Sequence, residues 1–216
     1  MTRILAIADE VAEVLYGEAL QRLRPDVVLS CGDLPFEYLE NLVTRAGVPL
    51  IYVLGNHDPD PSRSAEPIGA WPERGHTLSD PIPGPQGCDS AEGRVREAAG
   101  LHIAGLGGSL RYKEGPNQYT QGEMRWRALR LEARARLRRG SRRGVDVIIT
   151  HAPPLGVGDA GDQAHQGFAA FHRLVGQLRP KVLLHGHVHP VHRRMVDREL
   201  GTTLVVNAIP YRLLEV

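Results

Sequence analysis

The chain has 216 residues, of which 42% are hydrophobic and 24% charged, with a formal net charge of +1. That length supports one large domain with a real core, and residues 1–216 are expected to form a single one. No run approaches the ~18 apolar residues that a bilayer span requires, near-neutral charge gives no general attraction to nucleic acid or anionic lipid, and two cysteines, Cys31 and Cys88, are too few for a disulfide framework.

The opening residues MTRILAIADE reach an acidic group without the apolar stretch of a secretory signal, so the cytoplasm is the expected location and both thiols are expected to be reduced. Residues 4–8 form the first apolar run with strand character, followed by others at 27–30, 50–54, 102–106, 145–150, 182–185 and 203–207. Helical spacing falls at 12–23, 37–46, 122–139 and 167–178, mostly ending near Gly or Pro. Residues 59–93 are rich in Pro and Gly and lack periodicity, and a loop of that length is often functional. Within 122–139, Trp126, Leu129, Ala133 and Leu137 recur at helical intervals and predict the core face, leaving the nine arginines between Arg125 and Arg143 on the solvent side. Residues 193–200 and 204–206, with a turn at 201–202, read as an antiparallel hairpin followed by a strand at 211–214. Strands alternating with helices predict an α/β layered fold with much parallel pairing.

The polar residues of interest lie where these strands end, which is where open α/β sheets bind ligands. Asp9 follows the first run, Gly32-Asp33 the second and Gly55-Asn56-His57-Asp58 the third. Thr150-His151 closes the run at 145–150, and His185-Gly186-His187-Val188-His189 closes the one at 182–185. Carboxylate, amide oxygen and imidazole together suit borderline divalent metals such as Mn, Fe or Zn, whereas a structural zinc site would want cysteine.

Taken in order, this series resembles the calcineurin-like metallophosphoesterase superfamily. The resemblance spans Asp9 to His189 and implies a four-layer αββα sandwich. It also implies one or two divalent ions per chain, with Asp33 bridging, Asn56, His151 and His187 completing one site, and Asp9 and His189 serving the other. His57 becomes the acid that protonates the leaving oxygen, a task suited to a group titrating near neutrality, with Asp58 orienting it. The implied activity is hydrolysis of a phosphate ester, a phosphodiester before a monoester, by metal-activated hydroxide on a small substrate. One position departs from the family: the usual Asp-x-His motif reads Asp9-Glu10-Val11, so a ligand of the first site is missing. Glu10 would point the other way if the strand continued.

Arg111 follows the strand at 102–106 and is a candidate for a phosphoryl oxygen, because its fork matches phosphate. His185 and His192 read as supporting or surface histidines, and Asp159, Asp162 and His165 as either a site-facing loop or an ordinary turn. The competing functions are a non-catalytic scaffold on the same fold, favoured only by Val11, and a nuclease gripping nucleic acid with the arginine-rich helix. A dinucleotide fingerprint, a Walker A lysine and a serine-hydrolase elbow are all absent from the sequence.

Overall fold

The computed structural model describes residues 1–59, 84–138, 144–189 and 196–216. The expectations for most of the loop at 59–93, for His192 and for the start of the C-terminal hairpin lie outside these residues.

Two large sheets face each other. The first contains β1 (Arg3–Ile7), β2 (Val27–Ser30), β3 (Leu50–Tyr52), β4 (Asp89–Ser90) and β13 (Tyr211–Glu215), in the order β13-β1-β2-β3-β4. The second contains β5 (Val95–Ala98), β6 (Leu101–Leu106), β9 (Val147–Thr150), β10 (Val182–His185), β11 (Arg198–Leu200) and β12 (Thr203–Asn207), in the order β11-β12-β10-β9-β6-β5. A small parallel pair joins β7 (Ser109–Leu110) to β8 (Gln118–Tyr119). The central pairs β1–β2, β2–β3, β6–β9, β9–β10 and β10–β12 are parallel.

The alternation of side chains sorts the strand residues into three cores. Ile4, Ala6, Val27, Leu29 and Ile51 of the first sheet meet Ile103, Val147, Ile149, Val182, Leu184 and Val206 of the second. The opposite face of the first sheet, with Leu5, Ile7, Val28, Leu50 and Tyr52, is covered by a 3-10 turn (Glu13–Tyr16), α1 (Glu18–Leu23) and α2 (Phe36–Ala46). The outer face of the second, with Ala104, Ile148, Leu183 and Val205, is covered by α3 (Gln121–Arg138) and α4 (Ala170–Leu178). Helix, sheet, sheet, helix is the expected four-layer αββα sandwich. Strands covered on both faces must be apolar on both, which is why they read as continuous hydrophobic runs.

Several boundaries differ from expectation. The helix at 12–23 breaks at Gly17, whose extended backbone separates the 3-10 turn from α1. The helix at 167–178 starts at Ala170 because Phe168 N donates to Pro153 O, at 3.0 Å, and holds that stretch extended. The C-terminal strand β13 does not extend the hairpin's sheet: it crosses to the first one and pairs antiparallel with β1.

The largest correction concerns α3. Trp126 is 66% and Leu137 85% exposed, and the buried stripe is Met124, Ala128, Leu131 and Ala135. The arginines are not all solvated either. Arg127 donates to Gly107 O at 2.9 Å, pairs with Glu92 and lies 3.8 Å over the Tyr119 ring. Arg134 donates to Gly93 O and Arg136 pairs with Glu132. The guanidinium groups of Arg127 and Arg134 tie α3 to the segments flanking β5 and β6, while that of Arg136 is held within the helix layer. No helix among the described residues is long and apolar enough to cross a membrane.

Candidate functional site

The ends of β1, β2, β3, β9 and β10 meet at one rim between the sheets. Asp9, Asp33 and His151 bring one ligand atom each to within 4.8 Å of one another. His151 is fully buried; its Nε2 lies 3.3 Å from Asp33 Oδ2 and 3.0 Å from Asn56 Oδ1, while Nδ1 lies 2.8 Å from Cys31 O. His187 joins from the second sheet: its backbone N donates to both carboxylate oxygens of Asp9, at 3.1 and 3.0 Å, and its ring centroid is 4.8 Å from that of His151.

Three of these residues sit where backbone sterics disfavour a side chain. Asp9, Asp33 and His187 have φ of 59°, 56° and 65°. Such left-handed residues persist only where their surroundings fix them, and they cluster at functional sites. Each lies just beyond the end of a strand, so the reversal swings its side chain or backbone amide into the rim.

Glycines next to the polar residues allow this crowding. A β-carbon on Gly55 would overlap Asp33 Oδ1 and lie 2.6 Å from Asp33 N. Gly55→Ala is therefore expected to push the Asn56 loop off the Asp33 loop and destabilise the fold by about 1–3 kcal/mol, the usual cost of overpacking. Urea denaturation compared with wild type measures this, and an unchanged midpoint would show that the loops give way freely.

The electrostatics call for a cation. Burial pushes the Asp9 carboxyl up to about 6, against the pull of His151 and of the His187 amide. Burial also works to raise Asp33, but its hydrogen bond and charge interaction with His151 win and hold it below its ordinary value. For His151 burial disfavours the charged ring, yet the bond to Asp33 and the charge of Asp9 outweigh it and lift the imidazole to about 9. His187 moves the other way, down to about 4, through burial first and repulsion from His151 second. Two carboxylates, an amide oxygen and an imidazole thus converge, and the proton drawn onto His151 is the positive charge that reconciles them, the place a bound cation would take. Asn56 adds to this reading: its Nδ2 is buried with no partner among the described residues. Leaving that donor unpaired costs about 1–3 kcal/mol, and it is the orientation that keeps Oδ1 in the cluster. The donor set fits a divalent borderline metal.

Other expected site residues fall around this centre. His57 is exposed, and its backbone N donates to Asp33 Oδ1 at 2.8 Å. With Asp33, Leu34, Pro35, Phe36, Glu37, Asp58 and Pro59 it lines a cleft of about 380 Å³. Asp58, expected to orient His57, makes no hydrogen bond to its ring among the described residues. Its buried Oδ2 instead accepts from Gly55 N at 2.7 Å and Asp33 N at 2.9 Å, because the turn aims the carboxylate at the two loops' amides. Burial raises its pKa, opposed by those same amides. His189 is exposed at the rim, with Nδ1 3.0 Å from Glu10 Oε1. Val11, at the position of the missing histidine, packs toward the outer core with Leu15. Arg111 is not brought to the centre as a free cation: its guanidinium is held by Glu123, at 2.9 and 3.2 Å, and by Gln118 O.

The loop after β9 also takes part. Ala164 O lies 2.8 Å from His187 Nε2, and His165, paired with Asp162, packs its ring 5.3 Å from that of His187. Asp159 accepts from Gly167 N within the loop. His185 is buried against Gly186 O, and burial pushes it down to about 4. Sequence reading missed Asn117, whose Nδ2 donates to Gly55 O and Asp58 O, both at 3.0 Å, bracing the Asn56-His57 turn from a distant segment. No motif marks it, since its partners are backbone carbonyls that any sequence supplies.

Comparison with known proteins agrees with this architecture. The profile of the calcineurin-like phosphoesterases matches residues 5–191. Among solved structures, the protein TT1561 of Thermus thermophilus superposes with a TM-score of 0.59 at 17% identity, covering 96% of this chain and 89% of that one. Another crystal structure gives 0.61 at 18% identity, over 96% and 90% of the two chains. A putative 5'-nucleotidase from Staphylococcus aureus, solved in complex with alpha-ketoglutarate, gives 0.50 at 11% identity, over 95% of this chain and 48% of that one. At these identities the solved structures speak for the fold alone. No curated protein matches the chain significantly. With the family profile spanning most of its length, the chain belongs to the calcineurin-like phosphoesterases, whose general chemistry is metal-dependent hydrolysis of phosphate esters.

Proposed function

We propose that this chain, as one domain of residues 1–216, is a cytoplasmic phosphodiesterase for a small substrate. Asp9, Asp33, Asn56, His151, His187 and His189 would hold one or two ions of Mn, Fe or Zn. The observation that carries this reading is the convergence of ligand atoms of Asp9, Asp33 and His151 to within 4.8 Å, with Asn56 Oδ1 at 3.0 Å from His151 Nε2. When bound, such metals neutralise phosphoryl charge and activate water. The chain's own residues do the rest. Asp33 draws the two halves of the site together through its bonds to His151 and to the His57 amide. Asp58 and Asn117 fix the turn that presents His57. The His57 imidazole, at the mouth of the cleft, delivers a proton to the departing oxygen.

Preference for a diester is supported by the cleft beside His57. Among the described residues its lining includes Leu34, Pro35, Phe36 and Pro59, three carboxylates in Asp33, Glu37 and Asp58, and neither Lys nor Arg. A monoester dianion gains from extra cations, whereas a diester carries less charge and a second group that an apolar wall can cover. The expected result is a kcat/KM for bis(p-nitrophenyl) phosphate at least about tenfold above that for p-nitrophenyl phosphate, or about 1.4 kcal/mol in transition-state binding. The reverse order would replace the diesterase reading by a monoesterase one.

A further inference from the structure

Each histidine proposed to hold metal uses one ring nitrogen to reach an oxygen. His151 Nδ1 lies 2.8 Å from Cys31 O and His187 Nε2 lies 2.8 Å from Ala164 O. Both of those oxygens are backbone carbonyls, which only accept, so the facing nitrogen carries a proton and the other nitrogen is the one that would offer a lone pair to a metal, in His151 after giving up its second proton. The third case is different in kind. His189 Nδ1 lies 3.0 Å from Glu10 Oε1, a charged side chain from the other sheet.

Glu10 reaches this place because the strand does not continue. β1 ends at Ile7, Asp9 adopts φ of 59°, and Glu10 N folds back to Ala8 O at 2.6 Å. The alternation that would aim residue 10 away from the site therefore no longer applies. The histidine end is fixed separately: Val188 N donates to Gly186 O at 2.8 Å, and Asn207 Nδ2 donates to Val188 O at 2.7 Å. Both side chains are about half exposed, 51% for Glu10 and 56% for His189, and an exposed ion pair adds little to stability. Its consequence is orientation. An ionised carboxylate accepts only, so it selects the tautomer with the proton on Nδ1 and the lone pair on Nε2. Histidines that hold metals commonly give their second N–H to a carboxylate in this way.

From this we infer that Glu10 is a positioning residue for His189, presenting Nε2 to the first metal position, where Val11 leaves the chain one ligand short. The inference rests on the reading of His189 as a ligand. Glu10 thereby strengthens the donors that remain, from the residue next to the one that was lost.

Titration of the chelator-treated full chain with Mn²⁺ by calorimetry, on wild type, Glu10→Ala, Glu10→Gln and His189→Ala, tests it. Glu10→Ala should weaken the looser binding event about 10–100-fold, as loss of such a partner does, and leave the tighter one unchanged. Glu10→Gln should fall between, because its amide oxygen still accepts from Nδ1–H. Nitrogen-15 NMR of the imidazoles, recorded without metal, should show His189 protonated on Nδ1 in wild type and redistributed in Glu10→Ala. If Glu10→Ala matches wild type while His189→Ala loses affinity, the positioning role is overturned and the ligand reading stands. If His189→Ala binds like wild type, the ligand reading itself fails. If Glu10→Gln is as weak as Glu10→Ala, with the tautomer unmoved in both, Glu10 is a ligand rather than a positioning residue.

Discussion

Asp33→Asn is expected to lose most of its metal and to hydrolyse phosphate esters at roughly a thousandth of the wild-type rate or less. Asp33 lies 3.3 Å from His151 Nε2, its other oxygen accepts from His57 N, and it stands within the cluster shared with Asp9. Asparagine keeps the shape and an acceptor oxygen but removes the charge that two neighbouring cations would share. A metal supplies several kcal/mol of transition-state charge stabilisation. At ~1.36 kcal/mol per decade, losing roughly 4 kcal/mol of it amounts to about three decades of rate. The fold should persist, because the amide keeps the side chain's shape and an oxygen that accepts from the His57 amide. Elemental analysis, circular dichroism and an aryl diester assay on the same preparation check all three statements. A variant with wild-type metal content and a rate within about tenfold, or ~1.4 kcal/mol, would remove Asp33 from the centre of the site. Exhaustive chelation of the wild type should produce the same loss and be reversed by adding metal back.

His57→Ala is expected to act in the opposite pattern, with metal content kept and rate lost. The side chain is exposed, so its removal opens no core cavity and should cost no more than about 0.5 kcal/mol of stability, as surface changes do. Its backbone amide, which serves Asp33, is unaffected by the substitution. General acid catalysis contributes typically about 10²–10⁴-fold, and the share depends on how much help the leaving group needs. An alkyl leaving group, which departs as a strong base, should suffer the full loss. A p-nitrophenolate, which departs readily without a proton, should suffer far less. Measuring both esters with the variant separates proton donation from positioning: equal losses would mean that His57 binds the phosphoryl group instead, and loss of metal would make it a ligand.

Much of this architecture is legible in the order of the amino acids. Runs apolar on both faces marked β2, β10 and β12 at their observed ends, since a strand covered by helix on one side and sheet on the other has little room for polar residues. Asp9, Asp33, Asn56, His151 and His187 stand out because they follow the apolar runs, and polar residues at consecutive strand ends share one rim in any such sheet. The rest depended on side-chain direction and on partners far away in the chain. Two stripes on α3 have the same helical spacing, and only packing against the second sheet selected Met124, Ala128, Leu131 and Ala135 over the stripe with Trp126. The small alanines let that face approach closely, while Arg127 and Arg134 were drawn inward by carbonyls that no sequence pattern displays. Asp58 reads as the partner of the neighbouring His57, and no pattern shows that its Oδ2 also accepts from the amides of Gly55 and Asp33. Strand alternation sets Glu10 aside, and the left-handed backbone at Asp9 turns it toward His189, a residue 179 positions away. Local pattern specifies which residues line a rim. Which of them touch is settled by the packed chain, because a contact depends on backbone reversals and distant acceptors that carry no periodic signal.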